Sequence, residues 1–99
     1  MSDKPYTVFI DDNFHYMDED HRTGGYGFDT WEEAAAWCAR FVEEEVEQFI
    51  ANSKTADEAW QGYTGFGEDP FIRPEPEGKH FSAWDYAKAI IFERFGRVA

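Results

Sequence analysis

The stretch from Thr30 to Asn52 constrains the rest of the chain more than any other. Trp31, Ala34, Ala35, Cys38, Phe41, Val42, Val46, Phe49 and Ile50 recur at spacings of three and four, the signature of one apolar helix face. Thr30-Trp31-Glu32-Glu33 opens this run as a capping box, with the threonine hydroxyl placed to accept an orphan amide and Glu33 placed to reach back. The spacing predicts a helix from Thr30 to about Asn52, on the order of 30 Å long. Its apolar stripe has to be covered along that whole length. A chain of 99 residues has room for one core only, so the cover must come from the short segments on either side.

Those segments read as β on the N-terminal side and mixed on the C-terminal side. Residues 5–10 contain Tyr6-Thr7-Val8-Phe9-Ile10, β-branched and aromatic throughout, and Asp11-Asp12-Asn13 follows as a turn signal. Gly24-Gly25 punctuates a second run, Tyr26-Gly27-Phe28, which pairs with the first as an antiparallel hairpin with a long connection. Phe14-His15-Tyr16-Met17 either extends that hairpin or lies in its loop. Thr55-Ala56-Asp57-Glu58 starts a short helix through Trp60 that Gly62 can end, leaving Tyr63 to Gly67 as a connection. Pro70 to Pro74 has room for a strand, and its prolines favour an edge position. Pro76 to Lys79 is a turn, and Ser82, with Asp85 three residues on, caps a last helix carrying Trp84, Ala87, Ile91 and Phe95. The expectation is a single α+β domain over residues 1–99. Its small antiparallel sheet of two or three strands is packed by a long amphipathic helix and a C-terminal helix, in the order β-β-α-α-β-α.

Four segments together resemble a family of short bacterial proteins with no established activity. They are Tyr6 to Glu19, the run ending Phe28-Asp29-Thr30 before Glu32-Glu33-Ala34, Tyr63-Thr64-Gly65-Phe66-Gly67-Glu68-Asp69-Pro70-Phe71-Ile72, and Phe81-Ser82-Ala83-Trp84-Asp85-Tyr86-Ala87. The resemblance implies a bacterial origin and supplies no cofactor, activity or catalytic residue.

Charge narrows the function classes. The chain has 21 Asp and Glu against 9 Lys and Arg, a formal charge of -12. Residues 1–50 account for 13 of those acids and only 3 of the bases. Such a field disfavours direct binding of nucleic acid or anionic lipid. No apolar run approaches the roughly 20 residues that span a bilayer, and Met1-Ser2-Asp3-Lys4-Pro5 lacks the apolar core of a signal peptide. The expectation is a cytoplasmic protein with no membrane association. A hydrophobic fraction of 42% and 19% aromatic residues set it apart from disordered acidic chains.

The most chemical-looking stretch is residues 11–21, where Asp11, Asp12, His15, Asp18, Asp20 and His21 stand with Asn13 and Glu19. Oxygen ligands of that kind suit calcium or magnesium, and imidazole with carboxylate suits zinc, manganese or iron. The EF-hand pattern is not met, because the sixth and twelfth positions counted from Asp11 are Tyr16 and Arg22 rather than glycine and glutamate. A solvated acidic loop accounts for the same residues. His15 and His21 have no nucleophile partner in sequence, His80 reads as a residue at the start of the last helix, and Cys38 falls in the apolar stripe as a small hydrophobe. Gly62 to Gly67 lacks the Lys-Ser or Lys-Thr of a phosphate loop and is followed by Glu68-Asp69.

The long helix carries Glu32, Glu33, Glu43, Glu44, Glu45 and Glu47 against one base, Arg40. Acids near its C-terminus oppose the helix dipole and repel one another, which leaves Glu43, Glu44 and Glu47 as candidates for meeting a basic protein partner. Trp37 lies off the main stripe and is a candidate anchor for that partner. No catalytic constellation appears and no cofactor is expected. The leading expectation is a small non-enzymatic interaction or regulatory protein that binds a basic partner through its acidic helix face. A mimic of nucleic acid that blocks a DNA-binding protein is one alternative, and a divalent-metal enzyme or sensor using residues 11–21 is another.

Overall fold

The computed structural model describes residues 4–12 and 23–96. Its elements are β1 (Tyr6–Asp12), β2 (Thr23–Phe28), α1 (Trp31–Ala51), α2 (Ala56–Phe66), β3 (Glu68–Arg73) and α3 (Ala83–Arg94). They form a three-stranded antiparallel sheet in the order β2-β1-β3, packed by three helices, an α+β fold with the expected element order.

Alternation on β1 and β3 sets the sheet against α1. Val8 and Ile10 point to one face with their register partners Ile72 and Pro70, and all four are buried. Val8 and Ile72 meet Ala34 and Cys38 of α1, whose short side chains let the helix approach the sheet closely. Two turns further along the same stripe, Val42 and Val46 join Ala59 and Tyr63 of α2 and Ala83, Ala87 and Ile91 of α3 in a second cluster. One helix therefore carries both cores, the sheet on its N-terminal half and the other two helices on its C-terminal half.

The hairpin of β1 and β2 contains a bulge. Val8 is opposite Tyr26 but Phe9 is opposite Gly24, so Gly25 is the extra residue. Gly24 and Gly25 have φ of +111° and +86°, and a Cβ at Gly24 would lie 2.8 Å from the Val8 carbonyl oxygen.

Three hydroxyl caps start the helices. Thr30 Oγ1 accepts from the Glu33 amide (3.1 Å), Thr55 Oγ1 from the Glu58 amide (3.2 Å) and Ser82 Oγ from the Asp85 amide (3.2 Å). The second helix is longer than expected. It continues through Gly62 to Phe66, because that glycine lies under Phe49 of α1, where a Cβ would come within 2.8 Å of the ring. Gly62 is there for close packing and does not stop the helix. The stop is Gly67, which donates its amide to the Tyr63 carbonyl (2.8 Å) and turns extended into β3.

β3 lies at the sheet edge, as its prolines implied, but begins at Glu68 rather than Pro70. Along it, the Glu68 carbonyl accepts the Tyr63 hydroxyl (3.0 Å), Pro70 has no amide to offer, and the Ile72 carbonyl accepts Arg73 Nη1 (2.9 Å). These alternate residues share one backbone direction, so the ladder is discouraged from extending to another chain. Gly24→Ala should destabilise the domain by about 2 kcal/mol, given the strained φ and the backbone contact. A thermal midpoint within two degrees of the parent would show that the bulge does not depend on this glycine.

Candidate functional site

Glu43 and Glu47, in the C-terminal half of α1, face α3 across a shallow groove. Arg94 grips Glu47 with both nitrogens, Nη1 to Oε1 at 2.7 Å and Nη2 to Oε2, and its guanidinium holds the Glu47 carboxyl below the usual carboxylate range. One turn earlier the Tyr86 hydroxyl donates to Glu43, and that bond pushes the Tyr86 hydroxyl's own pKa up. Ile90 and Glu93 complete the lining of this groove, whose volume is about 420 Å³. Glu44, one residue from Glu43 on the same helix, is exposed. No base stands in the last turn of α1, so its C-terminal acids find their compensation on α3 instead. A similar contact ties the other end of the helix, where Lys79 reaches Glu32 and lies 5.7 Å from the centre of the Trp31 ring.

Trp37 is half-buried within an aromatic row. Its ring centroid is 5.1 Å from Tyr26, 6.2 Å from Phe28 and 5.4 Å from Phe41, which stacks on it. The tryptophan fastens β2 to α1, and it is Tyr26, about half exposed, that presents this row to solvent.

Of the acidic stretch 11–21, only its start falls within the described residues. Asp11 is buried near the end of β1, and the backbone of Asp12 pairs in register with Glu68. His15, Asp18, Asp20 and His21 lie outside the described residues. Among the described residues no three His, Cys, Asp or Glu side chains gather to hold a metal ion. Cys38 is fully buried, and burial followed by the Asp69 charge pushes its thiol up to about 12, which makes it a packing residue. His80 Nδ1 contacts Glu75 Oε2 at 2.9 Å.

Asp69 is a residue that its neighbours in sequence do not single out. The β1–β3 register sets it directly opposite Asp11, two carboxylates facing one another across the ladder. Burial first, and then the Asp11 charge, raise the Asp69 carboxyl from an ordinary 3.8 to about 6. The Glu68-Asp69 dipeptide shows nothing of this, since the juxtaposition exists only once the strands are paired.

No family model matches the chain, and no curated protein or solved structure matches it either. No described helix is long and apolar enough to cross a membrane.

Because the folded state holds the Asp69 proton more tightly than the unfolded chain, this residue favours folding below about pH 4, and that contribution is lost as pH rises through about 6. Asp69→Asn should therefore stabilise the domain by about 2 kcal/mol at pH 8, with the gain shrinking toward zero at pH 4. Urea denaturation of both proteins at the two pH values measures this; equal stabilities at pH 8 would refute it.

Proposed function

We propose that the protein is a small non-enzymatic interaction or regulatory module, cytoplasmic, that holds a basic surface of a protein partner against the acidic flank of α1. The observation that carries this reading is the groove between α1 and α3. Glu43, Glu47 and Glu93 line it with Arg94, Ile90 and Tyr86, and the exposed Glu44 follows Glu43 on the outer side of α1.

Such a groove suits a segment with alternating basic and apolar residues. Its charge draws the partner in from beyond contact distance, and within the Debye length of about 8 Å at physiological salt it sets orientation more than affinity. The Arg94–Glu47 pair is half exposed on both sides, and ion pairs so placed contribute little to folding. A partner's arginine can take the place of Arg94 on Glu47 at small cost. Glu43, Glu44 and Glu47 also repel a second copy of the same flank, so the partner on this face has the opposite charge.

A nucleic-acid mimic needs a row of carboxylates left open to solvent. On this flank Glu43, Glu44 and Glu47 span only about 6 Å of the helix axis, a shorter row than a mimic of a phosphate backbone would use.

Amide chemical-shift mapping with a lysine- and arginine-rich amphipathic peptide tests the reading. Shifts should concentrate on α1 from Glu43 to Gln48 and on α3 from Tyr86 to Arg94. Glu44→Lys, an exposed change, should weaken binding several-fold while leaving the thermal midpoint within a few degrees. Shifts spread evenly over the surface, or an unchanged affinity in Glu44→Lys, would defeat it.

A further inference from the structure

The face of β3 that turns away from α1 carries Asp69, Phe71 and Arg73 in a row, set by the two-residue period of the strand. Phe81, which also packs against both core clusters, and Trp84 at the start of α3 come beside the edge of β3 and with this row line an open cleft of about 420 Å³. The cleft and the acidic groove open on different faces of α3, since Trp84 and Tyr86 project about 200° apart on the helix, and they adjoin where the Phe81 and Tyr86 rings meet at 5.9 Å.

Charges in the cleft are satisfied at one end and left open at the other. Arg73 is engaged at the far end: its Nη1 donates to the Ile72 carbonyl at 2.9 Å, and its guanidinium carbon lies 4.8 Å from the Phe71 ring centre. Four strand residues, about 13 Å, separate it from Asp69. Glu75 and His80 at the rim hold each other at 2.9 Å. Among the described residues no cation or hydrogen-bond donor stands against the Asp69 carboxylate, and the charge it meets across the ladder is that of Asp11. A partly desolvated carboxylate beside a like charge gains most from an arriving cation, which replaces lost hydration and offsets the repulsion. Aromatic walls add to this, because ring faces attract cations and the rings cover an alkyl chain.

We propose that this cleft is a binding site for an ammonium or guanidinium group, its charge on the Asp69 carboxylate and its alkyl part against Phe71, Phe81 and Trp84. The inference does not rest on the basic-partner reading, since it uses a different flank and a different set of residues.

Binding requires Asp69 ionised, so affinity should rise about tenfold between pH 5 and pH 7 and then level off. The other groups bearing on Asp69 are Asp11 from β1, Cys38 from α1, Tyr63 from α2, Glu68 and Arg73 on its own strand, and Glu75 and His80 from the loop before α3. His80→Gln removes the imidazole at the rim and should leave this pH profile in place.

The test is titration of the whole protein with n-butylammonium and n-butylguanidinium chloride, followed by amide shifts, with n-butanol as the neutral control. The cations should shift Asp69, Phe71 and the first turn of α3 while n-butanol does not, and Asp69→Asn should weaken binding at least tenfold at pH 7. Nα-acetyl-lysine methylamide then distinguishes the source: competition with butylammonium points to a side chain of another protein, and its failure to compete points to a free amine. Equal shifts with n-butanol, or undiminished binding by Asp69→Asn, would overturn the proposal. Glu44→Lys should leave this binding untouched, so the two readings can fail separately.

Discussion

The rest of the structure depends on a single apolar stripe that serves two different neighbours. Ala34, Cys38, Val42 and Val46 are buried at successive intervals of four along α1. The two shorter side chains meet the sheet and the two valines meet the helices. The sizes are complementary to the neighbours: the short residues of α1 meet Val8 and Ile72 of the sheet, and its valines meet Ala59, Ala83 and Ala87 among the residues of the other helices, so small side chains are set against larger ones throughout. Enlarging Cys38 would lift α1 from Val8 and Ile72 and disturb its other half, since both cores share one rigid rod. The buried thiol is thus fixed by volume, and its high pKa is a consequence of that packing.

Charge on α1 is arranged around the same stripe. A helix with so many acids near its C-terminus is unfavourable in isolation, both for its dipole and for repulsion between neighbouring turns. The fold answers this from outside the helix, with Arg94 and Tyr86 of α3 at Glu47 and Glu43. Since these contacts are surface-exposed, they hold the side chains in place more than they stabilise the fold. An acidic surface with ordered carboxylates is a better docking platform than a disordered one, because less side-chain freedom is lost on binding.

What could be read from the residues was whatever local chemistry decides. The Thr30, Thr55 and Ser82 caps, the apolar period of α1 and the edge position of the proline-flanked strand all depend on neighbours in sequence, and all are present. The extent of α2 was not legible, because whether Gly62 ends a helix or admits a ring depends on Phe49, thirteen residues earlier and on another element. The aromatic packing of Trp37 likewise required knowing that β2 crosses its position. At the candidate sites, the acids of α1 stood out as a group, but the residues of α3 that hold two of them did not. Asp69 gave no signal, since an acid in a turn-like Glu-Asp-Pro run looks the same whether or not another carboxylate will face it.

That confrontation of Asp69 with Asp11 is a by-product of the register, and the register itself is tightly fixed. Val8 opposite Ile72 and Ile10 opposite Pro70 place four buried side chains on the face toward α1, and a slip of one residue would turn this set toward the opposite face. The hydrophobic pairs dominate, because burying several of them is worth more than the repulsion of one acid pair. Nothing in the pairing, however, requires a carboxylate at position 69. An asparagine or threonine would keep the strand, its alternation and its packing. The acid is thus an addition to a sheet that would form without it, set where burial makes it costly and where an aromatic-walled cleft leaves it open to a cation.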